Sequence, residues 1–227
     1  MLRWFRLGAE TVRGISPPAS VIGEARGDLD LSPMNLTAVV LHYRRWHQAR
    51  SKAELDLFAA EASLARAVRR AALAKTPSGK RYPHQRRRKS EALKKGAEKL
   101  ASVLSKIDAA TNFAKLLAVV NDAVRTVSDL GELYVYDTAL RIGAYKGILP
   151  TRVYLHAGTR EGAKALELDF ERRRVALDTF EVPEPLRALA PHELEDVLCI
   201  YKRYFSGERA DLDETEGCWV DDGFKGC

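Results

Sequence analysis

Three features of the chain have residue types and spacing suited to chemistry. Asp137 lies within Leu133–Tyr145, a segment of helical periodicity, among Val135, Leu140, Ile142 and Ala144. An unpaired carboxylate in so apolar a setting is costly, so it is either compensated or used. Arg141, four residues on, is the natural partner for an ion pair of modest energy; the alternative is a carboxylate that works on a bound ligand. The second feature is Lys80–Lys89, KRYPHQRRRK, with six cations (Lys80, Arg81, Arg86, Arg87, Arg88, Lys89), no acids, and Tyr82, His84 and Gln85 interleaved. Two prolines and a glycine between Thr76 and Pro83 put it in a break between helices. There, side chains and backbone can both face a phosphate chain, and Tyr82 can stack on an exposed base. The alternative is a solvated loop that keeps the protein soluble. The third is Val127–Gly147, VSDLGELYVYDTALRIGAYKG, where two helices meet at a tight, glycine-containing turn. The backbone of such a turn, here Asp129, Leu130, Gly131 and Glu132, and the helix N-terminus that follows it can bind a phosphate.

Charge favours a polyanionic partner. The net charge of +6 conceals an asymmetry, because residues 207–227 hold seven acids and two bases. Residues 1–206 therefore carry 35 bases against 24 acids, a balance of +11. Glycine and proline together number 24 in 227 residues and 46% are hydrophobic, which excludes collagenous and long disordered classes. Three cysteines (Cys199, Cys218, Cys227) without a CxxC exclude a disulfide framework built from this chain. No run reaches the roughly 18 apolar residues of a membrane span, and Arg3 and Arg6 interrupt the N-terminal apolar stretch. A soluble cytoplasmic protein without a membrane partner is expected.

The elements that must position these residues are predominantly helical. Residues 1–32 read as an irregular arm. Ser32 and Pro33 suggest a helix start, with Leu36, Val39, Val40, Tyr43 and Trp46 at helical spacing. A second helix is expected over Ser51–Ala74, opened by a Ser51/Glu54 capping box. Further helices are expected over Lys89–Ile107, Thr111–Val127, Leu133–Tyr145, Thr151–Leu166 and Pro191–Tyr204. VYLH and RRRVAL alone have strand character, and neither has a partner of alternating pattern nearby. The fold class is all-α, with a helical region at 33–110, a second at 111–206 and an acidic tail at 207–227. His42 and His47, five apart, would project about 140° apart on an α-helix, which argues against a metal pair. No metal site or cofactor is expected, since GxGxxG, P-loop and zinc-deaminase patterns are absent.

Three segments in order, VSDLGELYV, PTRVYLHAGTREGAKALEL and PHELEDVLCIYKRYF, resemble the helix-hairpin-helix DNA glycosylase superfamily. VSDLGELYV resembles its LPGVGxxTA hairpin, with Gly131 as one glycine and Asp129 in place of the other. The second resembles its V-D-T-H-V-x-R-V segment through Val153 and His156, and the third occupies the place of its closing helix. The resemblance spans residues 111–205 and implies two helical lobes around a cleft that receives a base flipped out of double-stranded DNA. The lysine of strand-cleaving members aligns with Leu133, and the usual aspartate with Tyr154, so the resemblance implies a monofunctional glycosylase. Asp137, one turn after Leu133, lies on the face that presents that lysine and takes the acid's role. The resemblance also places Tyr154 and His156 at the pocket for base recognition, water positioning or acid–base work. Leu133, Tyr134 and Arg141 fall among the substrate contacts, with Glu161 as a reserve carboxylate.

The expected activity is excision of a damaged or modified base to leave an abasic site. A hypermodified phage base removed in antiphage defence is one such substrate, and the protein would be nucleoid-associated when bound. Two rival readings are a non-catalytic helix-hairpin-helix DNA-binding protein and a basic protein-interaction subunit.

Overall fold

The computed structural model describes residues 34–76, 78–82, 85–168 and 174–212. The chain divides at Pro33, and every described residue belongs to the unit that starts at Met34. The expected N-terminal arm, the Ser32–Pro33 helix start, His84, Arg172, Arg173 and most of the acidic tail lie outside the described residues.

Helix α1 (Leu36–Tyr43) begins where Asn35 Oδ1 accepts the Ala38 amide at 2.9 Å. It runs through a π turn (Arg44–Gln48) into α2 (Ala49–Ala59) without leaving helical backbone geometry. Ser51 is therefore inside a helix rather than capping one, because the preceding turns already supply its backbone partners. The helix expected over Ser51–Ala74 breaks at residues 60–63, and Ser63 caps α3 (Leu64–Ala72) through the Arg66 amide. Helix α4 (Ser90–Ser102) bends at Val103 into α5 (Leu104–Ala109). Asn112 caps α6 (Phe113–Val124), and α7 (Glu132–Lys146) runs from Gly131 to a left-handed Gly147, φ 69°.

The segment after α7 departs from the expected helix over Thr151–Leu166. Val153–Tyr154 (β1) pairs antiparallel with Ala176–Leu177 (β2), and α8 (Ala157–Ala165) starts only at Ala157. The two stretches with strand character are thus each other's partner, two residues each, too short for alternation to register. Short 3₁₀ turns (Thr179–Glu181, Glu184–Ala188) lead to α9 (Pro191–Ile200), opened by Pro191 at its first position, and α10 (Lys202–Phe205) follows a break at Tyr201. The architecture is mostly helical, and no described helix is long and apolar enough to cross a membrane.

Two hydrophobic clusters organise the unit. One gathers Phe58, Val68, Leu93, Leu100, Phe113, Leu116, Val120, Tyr134 and Ile142, and so crosses the boundary expected at residue 110. The other joins Val39, Val40 and Tyr43 of α1 to Val153, Leu177, Leu186, Leu194, Leu198 and Phe205. Helix α7 packs against α2, α3 and α6 and buries Tyr134, Val135, Tyr136, Ala139 and Ile142 around its circumference. Helices α8 and α9 meet at Gly162, where a Cβ would lie 1.9 Å from the Leu198 carbonyl oxygen. That backbone oxygen cannot yield without moving α9. Gly162→Ala is expected to cost on the order of 1–3 kcal/mol of stability, read as a lowered thermal unfolding midpoint.

Candidate functional site

The π turn sets the first wall. Its i→i+5 bonding aligns residues five apart, so the His42 and His47 rings stand 6.0 Å apart rather than on diverging faces. His47 is 4% exposed and stacks on Tyr43, with ring centroids 5.9 Å apart. Burial, with His42 and Arg50 nearby, pulls its pKa down to about 4, so the imidazole is neutral at physiological pH.

His47 opens onto a cavity of about 90 Å³. Arg50, Ser51 and Glu54 of α2 line one side, and Leu133, Asp137, Leu140 and Arg141 of α7 another. His156, with Glu195, Asp196, Cys199 and Ile200 of α9, completes it. The side chain of Asp137 is 16% exposed. Its Oδ2 accepts a 2.8 Å hydrogen bond from Gln85 Nε2 and lies 3.8 Å from Arg141 Nη2. Arg141 makes its closer contact elsewhere: Nε donates to Glu54 Oε1 at 2.7 Å, and the guanidinium sits 4.0 Å from the Tyr82 ring centroid. The expected Asp137–Arg141 pair is thus present but long, because Glu54 of α2 takes the better geometry. Although burial opposes it, the charges of Glu54 and Asp137 raise the guanidinium pKa further.

His156 faces the same cavity with both ring nitrogens engaged. Nδ1 accepts the Gly158 amide at 3.2 Å, which caps α8, while Nε2 bonds Glu195 Oε1. With Nδ1 accepting, the proton sits on Nε2 and donates to the carboxylate. Burial works against the charged imidazole, but the Glu195 hydrogen bond and charge prevail and its pKa is raised. The structure places this histidine on the cavity wall, bonded to Glu195. Asp196 accepts Tyr43 Oη at 2.8 Å and Ser51 Oγ at 3.0 Å, and burial together with the Glu195 charge pushes it up to about 8. Burial likewise pushes the Cys199 thiol up to about 12, leaving it unreactive at neutral pH.

Other expected site residues lie elsewhere. Tyr134 is buried beneath the hairpin, donating Oη to the Ala72 carbonyl at 2.9 Å, and does not line the cavity. Tyr154, in β1, is partly buried in tilted ring contacts with Phe113 and Tyr136, centroids 5.1 and 6.1 Å away, rather than at the cavity wall. Glu161 is on the outer face of α8, paired with Lys202. Arg174 bonds Glu181.

The basic loop divides into inward and outward residues. Tyr82 is 4% exposed and Gln85 wholly buried, so neither is available to stack on a base or touch a phosphate; both brace α7. Arg81 bonds the Arg88 carbonyl at 2.7 Å and also Ser90 Oγ, closing the loop on itself. Arg88 reaches Asp129 Oδ1 at 3.1 Å, and the Lys89 amide donates to Asp129 Oδ2 at 2.8 Å. Those bonds hold Asp129 in a left-handed conformation, φ 76°, at the position where a glycine would be expected. Lys80, Arg86, Arg87 and the side chain of Lys89 face outward. At the hairpin, Leu130 is buried, whereas Gly131 and Glu132 are exposed. Gly131 supplies no side-chain cap to α7, so among the described residues its leading amides keep no side-chain partner. Both hairpin acids are matched by arginines, Asp129 by Arg88 and Glu132 by Arg160 at 2.5 Å.

Sequence reasoning missed His47, Glu54, Glu195 and Asp196. Glu54 had the signal of its spacing from Ser51 but was assigned to capping, and ELED in α9 gave an acidic pair whose inward direction depends on the tertiary packing. Among the described residues, no group of three or more His, Cys, Asp or Glu is arranged to hold a metal ion. Compared with protein families, with characterised proteins and with solved structures, the chain matches none.

The cavity's titrations set a pH dependence. Between about pH 6.5 and 8, native Asp196 retains a proton that the unfolded chain has released, so stability falls as pH rises through this range. His156 acts in the same direction, its contribution fully present below the ordinary histidine pKa and lost as pH rises through its raised one. His47 opposes both only below 6.5, where the unfolded histidine takes up a proton that the native one refuses. The thermal midpoint is expected to drop from pH 6.5 to 8, and Asp196→Asn to flatten that slope; an equal slope in the variant would exclude Asp196 as its main source.

Proposed function

We propose that this chain is a monofunctional DNA N-glycosylase with the helix-hairpin-helix arrangement of two helical lobes around a base-receiving cleft. The observation that carries the reading is the place of Asp137. It sits on the wall of a cavity, oriented by Gln85 and Arg141, on the same helix whose uncapped N-terminus and hairpin are exposed one turn earlier. Duplex phosphates would meet the α7 N-terminus at Gly131 and the outward Arg86, Arg87 and Lys89, with the two hairpin acids already neutralised by their arginines. A nucleotide rotated out of the stack would present its sugar to Asp137. Departure of the base develops positive charge on that sugar. A carboxylate in a small, low-dielectric cavity stabilises this charge and orients the attacking water, while Leu133, in the lysine's place, offers no amine for a Schiff base. Each water-sized group requires about 10–15 Å³ by the same measure, so about 90 Å³ suits a pyrimidine-sized ring better than a bulky hypermodified base.

One observation favours a second reading. The contact with Arg141 makes Asp137 part of an interior charge network with Glu54, as a non-catalytic DNA-binding protein would retain it for stability. Asp137→Asn separates the two. Base release, read as alkali-labile breaks in duplexes and by mass spectrometry of bases liberated from several genomic DNAs, is expected to fall at least about 100-fold with DNA affinity kept. Undiminished release would remove Asp137 from the mechanism, and no release by the unaltered protein from any DNA would favour the binding protein. Arg86→Ala with Arg87→Ala is expected to lower the slope of log affinity against log salt by about 1.8 if each contacts one phosphate; an unchanged slope would place these arginines away from the backbone.

A further inference from the structure

Where α3, α4 and α5 meet the start of the basic loop, the surface opens into a groove of about 890 Å³. Its floor is apolar, with Leu73 at the end of α3, Ala97 of α4 and Leu104 of α5 half-buried along it. Four cations, Arg69, Lys75, Arg81 and Lys94, stand around that floor against one acid, Glu98. Arg81 is bonded within its own loop, whereas Arg69, Lys75 and Lys94 are exposed and have no ion pair among the described residues. An apolar floor inside a positive rim suits an occupant that brings apolar side chains and negative charge together. A nucleic-acid backbone would take the cations and leave the floor in water.

We infer that this groove is the docking site of the chain's own acidic tail, residues 213–227, with Trp219, Val220 and Phe224 on the floor and the tail's acids against the rim. Those residues hold five acids and one base, and Asp221 and Asp222 fall between Val220 and Phe224, so charge and apolar area come from one short stretch. Extended, Trp219 to Phe224 covers about 17 Å. The groove runs along α4 from Ser90 to Ala101, also about 17 Å of helix. The other terminus matches less well, since residues 1–33 carry four bases and four acids and so no net charge. Reach is adequate. Leu212, the last described residue, packs with Tyr204 and Phe205 of α10 in the second cluster. From there three bridges lead to the groove: Lys202 to Glu161, the adjacent Arg160 to Glu132, and Asp129 of that hairpin to the Lys89 amide, next to Ser90. The stretch from Leu212 to Phe224 extends about 40 Å, comparable with the width of about 40 Å expected for a compact body of about 180 residues. Because Gly79 and Arg81 belong to both the groove and the basic loop, a seated tail sets its acids at the loop's edge and screens the charge that a polyanion would meet.

The inference stands on the groove and the tail, independently of any glycosylase activity, and its test requires neither DNA nor turnover. Cys218 adjoins Trp219, and the Cys199 thiol, pushed up to about 12 by burial, does not react at neutral pH. A nitroxide is attached to Cys218 of the full chain carrying Cys227→Ser, and ¹H–¹⁵N spectra are compared with the label oxidised and reduced. The amides of Leu73, Lys94, Ala97 and Leu104 are expected to lose most of their intensity in the oxidised form, and about 0.5 M NaCl to restore part of it by screening. Arg69→Glu with Lys94→Glu, both at exposed positions, is expected to abolish the broadening, and Trp219→Ser to weaken it. Groove amides that keep their intensity would overturn the inference, as would broadening that ignores salt, charge reversal or the loss of Trp219. Broadening of the same amides when a labelled ¹⁴N chain is mixed with an unlabelled ¹⁵N chain would also overturn it, by showing that a second copy supplies the tail.

Discussion

Helix α7 is buried nearly all round and yet carries two opposite charges, and the molecule is arranged to satisfy them. Neither Asp137 nor Arg141 can leave the interior without dismantling the helix's contacts with α2, α3 and α6. Their partners come from two segments distant in sequence: Glu54 from α2, and Gln85 with Tyr82 from the loop between α3 and α4. A polar network in a low-dielectric interior is favourable only when its members are matched. Here matching stops short at Arg141 Nη1 and Gln85 Oε1, which remain without partners. Among the described residues, buried atoms without a partner also occur away from the cavity, at Arg88, Tyr136, Thr138 and Arg160.

The same network explains why the basic segment has two characters. As a string of letters KRYPHQRRRK is uniformly polar, and nothing in it separates a solvated cation from a buried brace. Packing makes the separation. Tyr82 and Gln85 turn inward because α7 offers them a guanidinium and a carboxylate, and Arg88 turns toward Asp129 because the hairpin needs its backbone held in a left-handed conformation. Arg81 closes the loop on Arg88 and Ser90, and Lys80, Arg86, Arg87 and Lys89 are exposed. Charge density along the chain therefore overstates the number of residues that can meet a phosphate.

Much of the helical framework was legible because its signals are local. Asn112, Gly147 and Pro191 mark helix ends by capping, left-handed backbone and fixed φ, and the periodicity of Leu133–Tyr145 matches α7 within a residue at each end. Asp137 was legible for the same reason, as a charge out of keeping with its apolar helix. Three things were not. The β1–β2 pair is two residues long and depends on a partner more than twenty residues away. The π turn changes helical phase without any residue that announces it, and so reversed the expected relation of His42 and His47. The inward direction of Glu195 and Asp196 depends on where α9 packs, and His156 and Tyr43 are the partners they meet there.

The loop's division into inward and outward residues also governs how the chain can vary. One residue inserted between Tyr82 and Arg88 would change the spacing at which Tyr82 and Gln85 meet α7 and Arg88 meets the hairpin. Length in this segment is consequently constrained more tightly than composition: an outward arginine can be exchanged for lysine at little expense, while the count of residues separating Tyr82, Gln85 and Arg88 must be kept.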